Sequence, residues 1–262
     1  MASRKINSIE KALEILLKFQ EKKPSWGIRE LATELHFSPA TVQRILQSLK
    51  AYHFVRQDPD TRQYYIGNIF YRFLENLSTA NDLTRISRKF MEELAAATLE
   101  TVHLNVIENK MRVCIDNIDS PNVLKAGMPI GNQSPLYAGA SAKCLLAYSS
   151  EKFQDHYFKT TAITPMTKKT IVMADKLFEE LYRIKKTGYA LSLGERTPGL
   201  GSVSAPVFDC RGQILASLSL AIPEVRFKKK AHLTNCIALL TRSAASLSNA
   251  MGMDMTPGIP LN

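Results

Sequence analysis

The chain has 262 residues, which is long enough for two domains, and its apolar content of 45% supports a globular core. Its formal net charge of +10 fits a polyanionic partner, but residues 1–75 hold 12 Lys or Arg against 8 Asp or Glu, so both halves are basic. The sequence shows no C-x-x-C spacing, no apolar run of about 18 residues and no signal segment. We therefore expect a soluble, cytoplasmic protein with buried thiols and no zinc or redox pair. The four cysteines are Cys114, Cys144, Cys210 and Cys236.

Residues 29–49 predict two short helices joined by a tight turn. Ser38 can cap the second helix, and Pro39 fits its first position, where the missing N–H has no partner. His36 stands where such turns usually have glycine, and His adopts the left-handed conformation more readily than most residues. The second helix carries an apolar stripe at helical spacing, made of Val42, Ile45, Leu46 and Leu49. This layout is typical of a DNA-reading helix-turn-helix.

The other face of the second helix carries small, polar and basic side chains. Gln can pair with an adenine edge, Arg with a guanine edge or a phosphate, and Ala or a Thr methyl with a thymine methyl. The alternative is an ordinary helix pair with a solvated polar face. The predicted DNA contacts on this helix are Ser38, Pro39, Ala40, Thr41, Gln43, Arg44 and Gln47.

The flanks of the two helices favour the DNA-binding interpretation. Two aromatic and β-branched runs, 52–57 and 63–67, surround a Pro and Asp turn and predict a hairpin. A helix-turn-helix followed by a hairpin is a winged helix, in which Arg56 and Arg62 can reach phosphates or the minor groove. Upstream, Ser8 is predicted to cap a helix. The residues expected to complete the three-helix core from that helix are Ile9, Leu13, Leu16 and Leu17.

The second half of the chain predicts helices and strands in a mixed order. Residues 68–99 have apolar stripes at helical spacing, which pack either on their own domain or on a sister chain. From Thr101 onward the residue pattern mainly predicts β-hairpins. A helix is predicted over 175–187, with Gly188 ending it. A final amphipathic helix covers 233–247. This order predicts an α+β domain, with helices packed on an antiparallel sheet.

Small hydroxyl residues share one face of the last hairpin, because alternate residues of a strand point the same way. Such a face either leaves room for a small ligand or admits a closely packed helix. His103 shares a strand face with Thr101 and Asn105, and we expect it to be a hydrogen-bonded core residue. No catalytic motif occurs, so we predict no catalytic residue, no metal and no cofactor. The face comprises Ser202, Ser204, Ser217, Ser219 and Ala221.

Several local motifs, in their order and spacing, resemble the IclR-type bacterial transcription regulators over nearly the whole chain. The motifs are ALEIL at 12–16, ELA at 30–32, SPATVQRIL at 38–46, YIG at 65–67, ETVHL at 100–104, PLYA at 135–138, KCLLA at 143–147, GYA at 188–190 and SAPVFD at 204–209. The resemblance implies a winged helix at 1–67, a linker helix at 68–80, a GAF-like effector domain at 81–254 and a flexible tail at 255–262. It also implies a homodimer through the DNA-binding domains, or a homotetramer.

The resemblance also implies an effector pocket built from three regions of the chain. Near Ser192 and at Ser202 this chain lacks the acidic residue and the Cys common in the family, which implies an uncharged, hydroxyl-rich pocket lined by small residues. Free N–H groups at the helix start near Ala140 and Ser141 could hold a carboxylate. The pocket residues carried over by motif are Val123, Ala126, Ser134, Ala140, Ser141, Ser192, Leu200, Ser202, Ser219 and Ala221.

The sequence therefore predicts a sequence-specific DNA-binding regulator whose operator binding is modulated by a small-molecule metabolite effector. A symmetric dimer presents two recognition helices, so the operator in double-stranded DNA should be palindromic. Two other classes stay open: a ligand-binding module or enzyme with an incidental helix pair, and a regulator without a small-molecule effector. We expect no membrane partner.

Overall fold

The computed structural model describes residues 7–19, 23–73 and 82–252. The chain divides into two compact units, 1–81 and 82–262. Within the described ranges, no helix combines the length and apolar composition that crossing a bilayer requires. Residues 74–80 of the predicted linker helix and the predicted tail lie outside the described residues.

The first unit is a winged helix-turn-helix, as predicted. Its strands pair as an antiparallel hairpin, and Trp26 adds an isolated bridge to Tyr64 beside it. Residues 69–73 begin a further helix after the wing. The helices are α1 (Ser8–Lys18), α2 (Ile28–Glu34) and α3 (Pro39–Ala51), and the strands are β1 (Val55–Gln57) and β2 (Tyr64–Ile66).

Helix α1 differs from the prediction in its capping residue and in which of its apolar residues are buried. Asn7, not Ser8, caps it, because the Asn7 Oδ1 atom accepts the N–H groups of Ile9 and Glu10, both at 2.9 Å. Ile15 is fully buried in the core of the unit. The prediction that the whole apolar set completes this core was wrong for Ile9, Leu13 and Leu17, which are 72%, 54% and 56% exposed. These three residues are spaced four apart, so they form a separate apolar stripe on the surface of α1.

The turn between α2 and α3 confirms the role predicted for His36. Its φ is 54°, in the left-handed region, and the Phe37 N–H donates to the Ala32 carbonyl at 3.0 Å. This bond satisfies one of the free carbonyls at the end of α2. His53 ends α3 in the same way, with a φ of 61°. Two histidines therefore occupy turn positions that glycine commonly fills.

The second unit contains a six-stranded antiparallel sheet of order β5-β4-β3-β8-β7-β6. The strands are β3 (Thr101–Glu108), β4 (Met111–Ile118), β5 (Gln133–Pro135), β6 (Ala190–Leu193), β7 (Leu200–Phe208) and β8 (Ile214–Pro223). The helices are α4 (Asp82–Thr98), α5 (Ala140–Tyr148), α6 (Glu151–Thr160), α7 (Ala174–Thr187), α8 (Glu224–Phe227) and α9 (Lys230–Ala250). The predicted α+β architecture is confirmed.

The two faces of this sheet differ in polarity. One face is apolar and shares a core with α4 and α9, through residues such as Met91, Leu218 and Leu240. Helices α5, α6 and α7 form a second core. The start of α5 packs on β7 and β8, over the face that carries the serines. The polar face is therefore enclosed, and it supplies one wall of the cavity described below.

Three elements of this unit were absent from the sequence predictions: helix α6, strand β5 and the four-residue helix α8. Helix α6 was missed because only Tyr157 of its ten residues is buried, so its apolar stripe is weak. Strand β5 was missed because it has three residues. The expectation of buried thiols holds for three cysteines, whereas Cys210 lies exposed in the turn between β7 and β8.

Candidate nucleic-acid interface and ligand cavity

The first turn of α3 is fixed by a side-chain cap. The Ser38 Oγ atom accepts the Thr41 N–H at 3.2 Å, and the two hydroxyl oxygens lie 2.8 Å apart. Pro39 occupies the first helical position, where no N–H is needed. The cap therefore sets where the helix begins, and with it the positions of the side chains that follow.

The outward face of α3 presents free polar groups. Gln43, Arg44 and Gln47 are exposed, and their side chains make no hydrogen bond to any described residue. Pro39 and Ala40 are exposed beside them, and Thr41 is half-buried. The buried side of the same helix carries Val42, Ile45 and Leu46. The predicted contact residues of α3 thus lie on one surface, on which the side chains of Gln43, Arg44 and Gln47 are available to a partner.

The wing turn is organised by Asp58. Its Oδ1 atom accepts the N–H and hydroxyl groups of Thr61, at 2.8 and 2.9 Å, and the N–H of Asp60 at 3.0 Å. These bonds, those of Thr61 first, lower the pKa of the Asp58 carboxyl. Arg62 follows with a φ of 59° and is exposed. The Arg56 guanidinium lies 4.5 Å from the centroid of the Tyr65 ring, so both predicted wing arginines are held at the surface.

A groove beside the wing adds a basic residue that the sequence reasoning missed. It is lined by His53, Arg56, Gly67 and Arg72, among others. Arg72 lies on the helix that begins at residue 69. The position of Arg72 just after the YIG motif, close in sequence to Arg56 and Arg62, could have indicated it from the sequence.

A cavity lies in the second unit, between the polar face of the sheet and the start of α5. Its volume is about 60 Å³. Two residues of the predicted pocket lie outside it: Val123 is fully exposed, and Ser134 is buried against Arg112. The predicted residues that line the cavity are Ala126, Ala140, Ser141, Ser192, Leu200, Ser202, Ser219 and Ala221.

The serine face serves both of the uses left open by the sequence. Ser202 and Ser219 line the cavity. Ser204 is buried behind them and shares a hydrogen bond with Ser219. Ser217 instead donates to the Ser141 carbonyl at 3.4 Å, which fastens the sheet to α5. The end of the face with Ser202 and Ser219 therefore leaves space in the cavity, whereas the end with Ser217 packs against α5.

The expectation of an uncharged pocket was wrong, because Arg196 lines the cavity. His103 also lines it, and its Nε2 atom has no hydrogen-bond partner in the described part of the chain. The expectation of a hydrogen-bonded core histidine was therefore wrong as well. Burial first, and then the charges of Arg112 and Arg196, lower the pKa of His103 to about 4.

Arg112 is fully buried behind the cavity wall, and its acceptors among the described residues are all neutral. Its guanidinium donates to the Ser134 Oγ atom at 2.9 and 2.7 Å, to the Asn105 Oδ1 atom at 3.3 Å and to the Met128 Sδ atom at 2.9 Å. Arg196 also approaches that sulfur, at 3.4 and 3.5 Å. Burial and the nearby Arg196 lower the pKa of Arg112 to about 10. Two guanidinium groups thus share one thioether, which is a weak acceptor.

The start of α5 is less available than predicted. The Gly139 N–H donates to the Glu195 Oε2 atom at 3.1 Å, and the Ala140 N–H to the Ser202 Oγ atom at 3.4 Å. The other Glu195 oxygen accepts from the buried Lys143 Nζ atom at 2.6 Å. The expectation of free N–H groups was wrong for Ala140, because side chains of the β6–β7 region accept the N–H groups of Gly139 and Ala140. The Ser141 N–H has no acceptor among the described residues, as expected.

A winged helix-turn-helix with an exposed recognition helix, joined in one chain to an α+β domain with a polar cavity, is the organisation of a transcription regulator. Family models agree with this class. The model of the IclR helix-turn-helix domain matches residues 8–59. The model described as bacterial transcriptional regulator IclR C-terminal matches residues 76–249. The chain belongs to the IclR family of bacterial transcriptional regulators.

Individual relatives support the same assignment. The HTH-type transcriptional regulator KdgR of Escherichia coli K12 is 31% identical over 251 residues, which cover 94% of this chain and 93% of KdgR. The crystal structure of the Thermotoga maritima IclR is 27% identical, with a TM-score of 0.81 over 94% of this chain and 99% of that one. An IclR homolog of Microbacterium hydrocarbonoxydans, complexed with 4-hydroxybenzoate, has a TM-score of 0.82 over 94% and 99% of the chains. At 14% identity, that last likeness shows the fold alone.

Proposed function

We propose that this protein is a sequence-specific regulator that binds a palindromic operator in double-stranded DNA, with an affinity set by a small metabolite in the cavity. It acts in the cytoplasm as a homodimer, or as a homotetramer of two dimers, and it is not an enzyme. The observation that carries the proposal is the exposed face of α3, whose amide and guanidinium groups have no partner among the described residues. Free groups of this kind, on a helix with a fixed start, are what reading base edges requires.

Base reading falls to Gln43, Arg44 and Gln47, which project from the outward face of α3. Arg56 and Arg62 act on the sugar-phosphate backbone, since both are exposed on the wing. Phosphate contacts fix the position of the protein on DNA, whereas base contacts give the specificity. The two groups of residues should therefore respond differently to a change of DNA sequence.

The surface stripe of α1 supports the dimer. Ile9, Leu13 and Leu17 are more than half exposed, although the unit that carries them is small. A continuous apolar stripe on a small domain marks a surface that a partner covers. A second copy of the chain, related by a two-fold axis, would cover it and bring two recognition helices to one operator.

The cavity supports the effector. It is concave, lined by hydroxyls and small residues, and has one basic residue in its wall. The IclR homolog of Microbacterium hydrocarbonoxydans is complexed with 4-hydroxybenzoate, which is an acid. By linkage, an effector that changes operator affinity must have its own affinity changed by the operator to the same degree.

The test is selection of bound DNA from a random pool by the full-length protein, followed by affinity measurement at fixed salt. Arg44→Ala should weaken binding to the selected operator by about 1–3 kcal/mol and relax the base preference at one position of each half-site. The matched control is Arg211→Ala, which removes an exposed arginine from the turn between β7 and β8. Failure to enrich any sequence, or equal binding by wild type and Arg44→Ala, would contradict the proposal.

A further inference from the structure

We propose that α7 pairs antiparallel with α7 of a second copy of the chain, about a two-fold axis at the level of residue 180. The inference rests on the proposed function, and it names the surface that joins two dimers into a homotetramer. The observation that carries it is an exposed stripe on α7, with an apolar centre and ends of opposite charge. This α7 stripe consists of Asp175, Phe178, Tyr182 and Lys185.

The α7 stripe lies on the side of the helix that faces away from the core. Leu177, Leu181 and Ile184 are buried on the other side. An α-helix turns by about 100° per residue, so the four residues of the stripe share an arc of about 80°. All four are exposed, and the fractions for Phe178 and Tyr182 are 46% and 71%. Adjacent aromatic side chains with this exposure mark a surface that a partner covers.

The aromatic centre of the stripe is fixed from one side. The centroid of the Phe178 ring lies 4.3 Å from that of Phe158 on α6. Tyr182 follows one turn later and makes no hydrogen bond to any described residue. The centre is therefore a positioned ring beside a tyrosine whose outer face and hydroxyl are available to a partner.

The charges at the two ends of the stripe select a second copy as that partner. Asp175 lies in the first turn of α7 and Lys185 in the last. About 15 Å of helix separates them, so they cannot pair within one chain, and neither pairs with another described residue. A two-fold axis at residue 180 places Asp175 of each copy opposite Lys185 of the other, and Phe178 opposite Tyr182. The stripe is thus complementary to itself.

The other charged side chains of α7 do not oppose this arrangement. Arg183 donates to Glu180 at 2.7 and 2.9 Å, so these two residues compensate each other within the chain. Glu179 and Lys186 flank the stripe, with the acidic residue in the first half of the helix and the basic residue in the second. Lys176 lies about 100° around the helix from the start of the stripe, away from the paired face.

The surface continues beyond both ends of the stripe. Val172 and Met173 precede α7 and are exposed. Beside the other end lies a groove of about 330 Å³, whose lining includes Thr187, Pro206 and Phe208. The same two-fold axis brings residue 173 of one copy to the level of residue 187 of the other, where its side chain can enter the groove. This addition matters, because one helix pair alone buries less area than specific interfaces usually do.

The test is sedimentation of the full-length protein over a range of concentrations. Wild type should form particles with the mass of four chains, each of 29.3 kDa. Asp175→Lys and Lys185→Asp each place like charges opposite one another, twice by symmetry. Each single variant should therefore raise the dissociation constant of the tetramer by about tenfold or more. The double variant restores opposite charges and should recover most of the lost affinity.

Two further variants complete the test. Tyr182→Lys removes an aromatic group from the centre of the stripe and should leave dimers. Lys176→Asp is the matched control, because it reverses a charge at an exposed position of the same helix outside the stripe. It should leave the dissociation constant unchanged. Recovery in the double variant guards against misfolding, since two substitutions that damaged the fold would not restore assembly.

The outcomes separate this inference from the function it rests on. A wild-type protein that stays dimeric or monomeric would overturn the α7 interface, and so would tetramers that survive Tyr182→Lys. A double variant as weak as the single variants would do the same. In each case a normal result of the operator selection with Arg44→Ala would leave the proposed function in place. Failure of that selection with intact tetramers would instead overturn the function and leave the interface.

Discussion

The two sides of the cavity hold their buried cations in opposite ways. On the α5 side, Lys143 contacts two carboxylates, and one of them also fixes the start of the helix. On the β3–β4 side, the acceptors that Arg112 contacts in the described part of the chain are hydroxyl, amide, carbonyl and thioether groups. A compensated charge holds the framework together, whereas an uncompensated one is suited to meet a charge brought from outside. The two sides therefore differ in how their buried positive charge is balanced by the described residues.

The largest expected effect is a loss of stability when Lys143, the cation on the α5 side of the cavity, is replaced. Lys143→Met leaves the buried Glu195 and the half-buried Glu180 without their shared cation. Burial raises the pKa of Glu180, but hydrogen bonds from Arg183 and Lys143 outweigh it, so the net direction is down and the carboxyl is ionised at neutral pH. The variant should lose about 3–5 kcal/mol in the free energy of unfolding of the second unit, measured by urea titration.

The control for that variant is Lys176→Met, which changes an exposed lysine on α7. It should alter the free energy of unfolding by less than about 0.5 kcal/mol. A Lys143→Met protein as stable as this control would show that the ion pairs do not hold the start of α5.

The second largest expected effect is the pH dependence of stability that His103 causes on the β3–β4 side of the cavity. The folded pKa of His103, about 4, lies below its ordinary value of 6.5. As pH falls below 6.5 the unfolded chain takes up a proton that the folded protein does not. The contribution to stability is therefore complete above pH 6.5 and is lost toward pH 4, by about 3 kcal/mol in all.

His103→Phe tests this pH dependence, because it removes the titrating group. Its stability should fall less steeply than that of wild type between pH 6.5 and 4, as followed by thermal unfolding at each pH. Parallel curves for the two proteins would mean that His103 is not held neutral in the folded state.

The smallest expected effect comes from replacing Arg112, and it tests whether the two sides of the cavity differ in their contribution to stability. Arg112→Met removes a buried charge that no carboxylate of the described residues compensates, while Ser134 and Asn105 lose a donor. The two changes oppose each other, so the loss of stability should stay below about 2 kcal/mol. A loss as large as that of Lys143→Met would show that both sides serve the framework equally.

Local patterns predicted much of the fold. The cap at Ser38, the apolar stripe of α3, the left-handed turn at His36 and the stop of α7 at Gly188 all depend on residues within a few positions of one another. The alternation of serines along β7 and β8 likewise predicted a face of small residues, because a strand's geometry fixes which residues share a face.

The features that the sequence did not predict depend on contacts between segments that are distant in sequence. The surroundings of His103 and Arg196 are set by four strands and a helix start, so their missing partners cannot be inferred from neighbours in sequence. The same holds for α1, whose apolar residues lie on more than one side of the helix. The sequence pattern alone did not show that Ile15 faces the core while Leu13 faces outward.

The exposed stripe of α1 also has a consequence for the amount of protein in the cell. If a second copy covers Ile9, Leu13 and Leu17, folding of the first unit is linked by mass action to the concentration of the chain. Operator occupancy would then rise more steeply than in proportion to protein level, since assembly precedes binding. Expression level itself would become an input to the regulator, alongside the metabolite in its cavity.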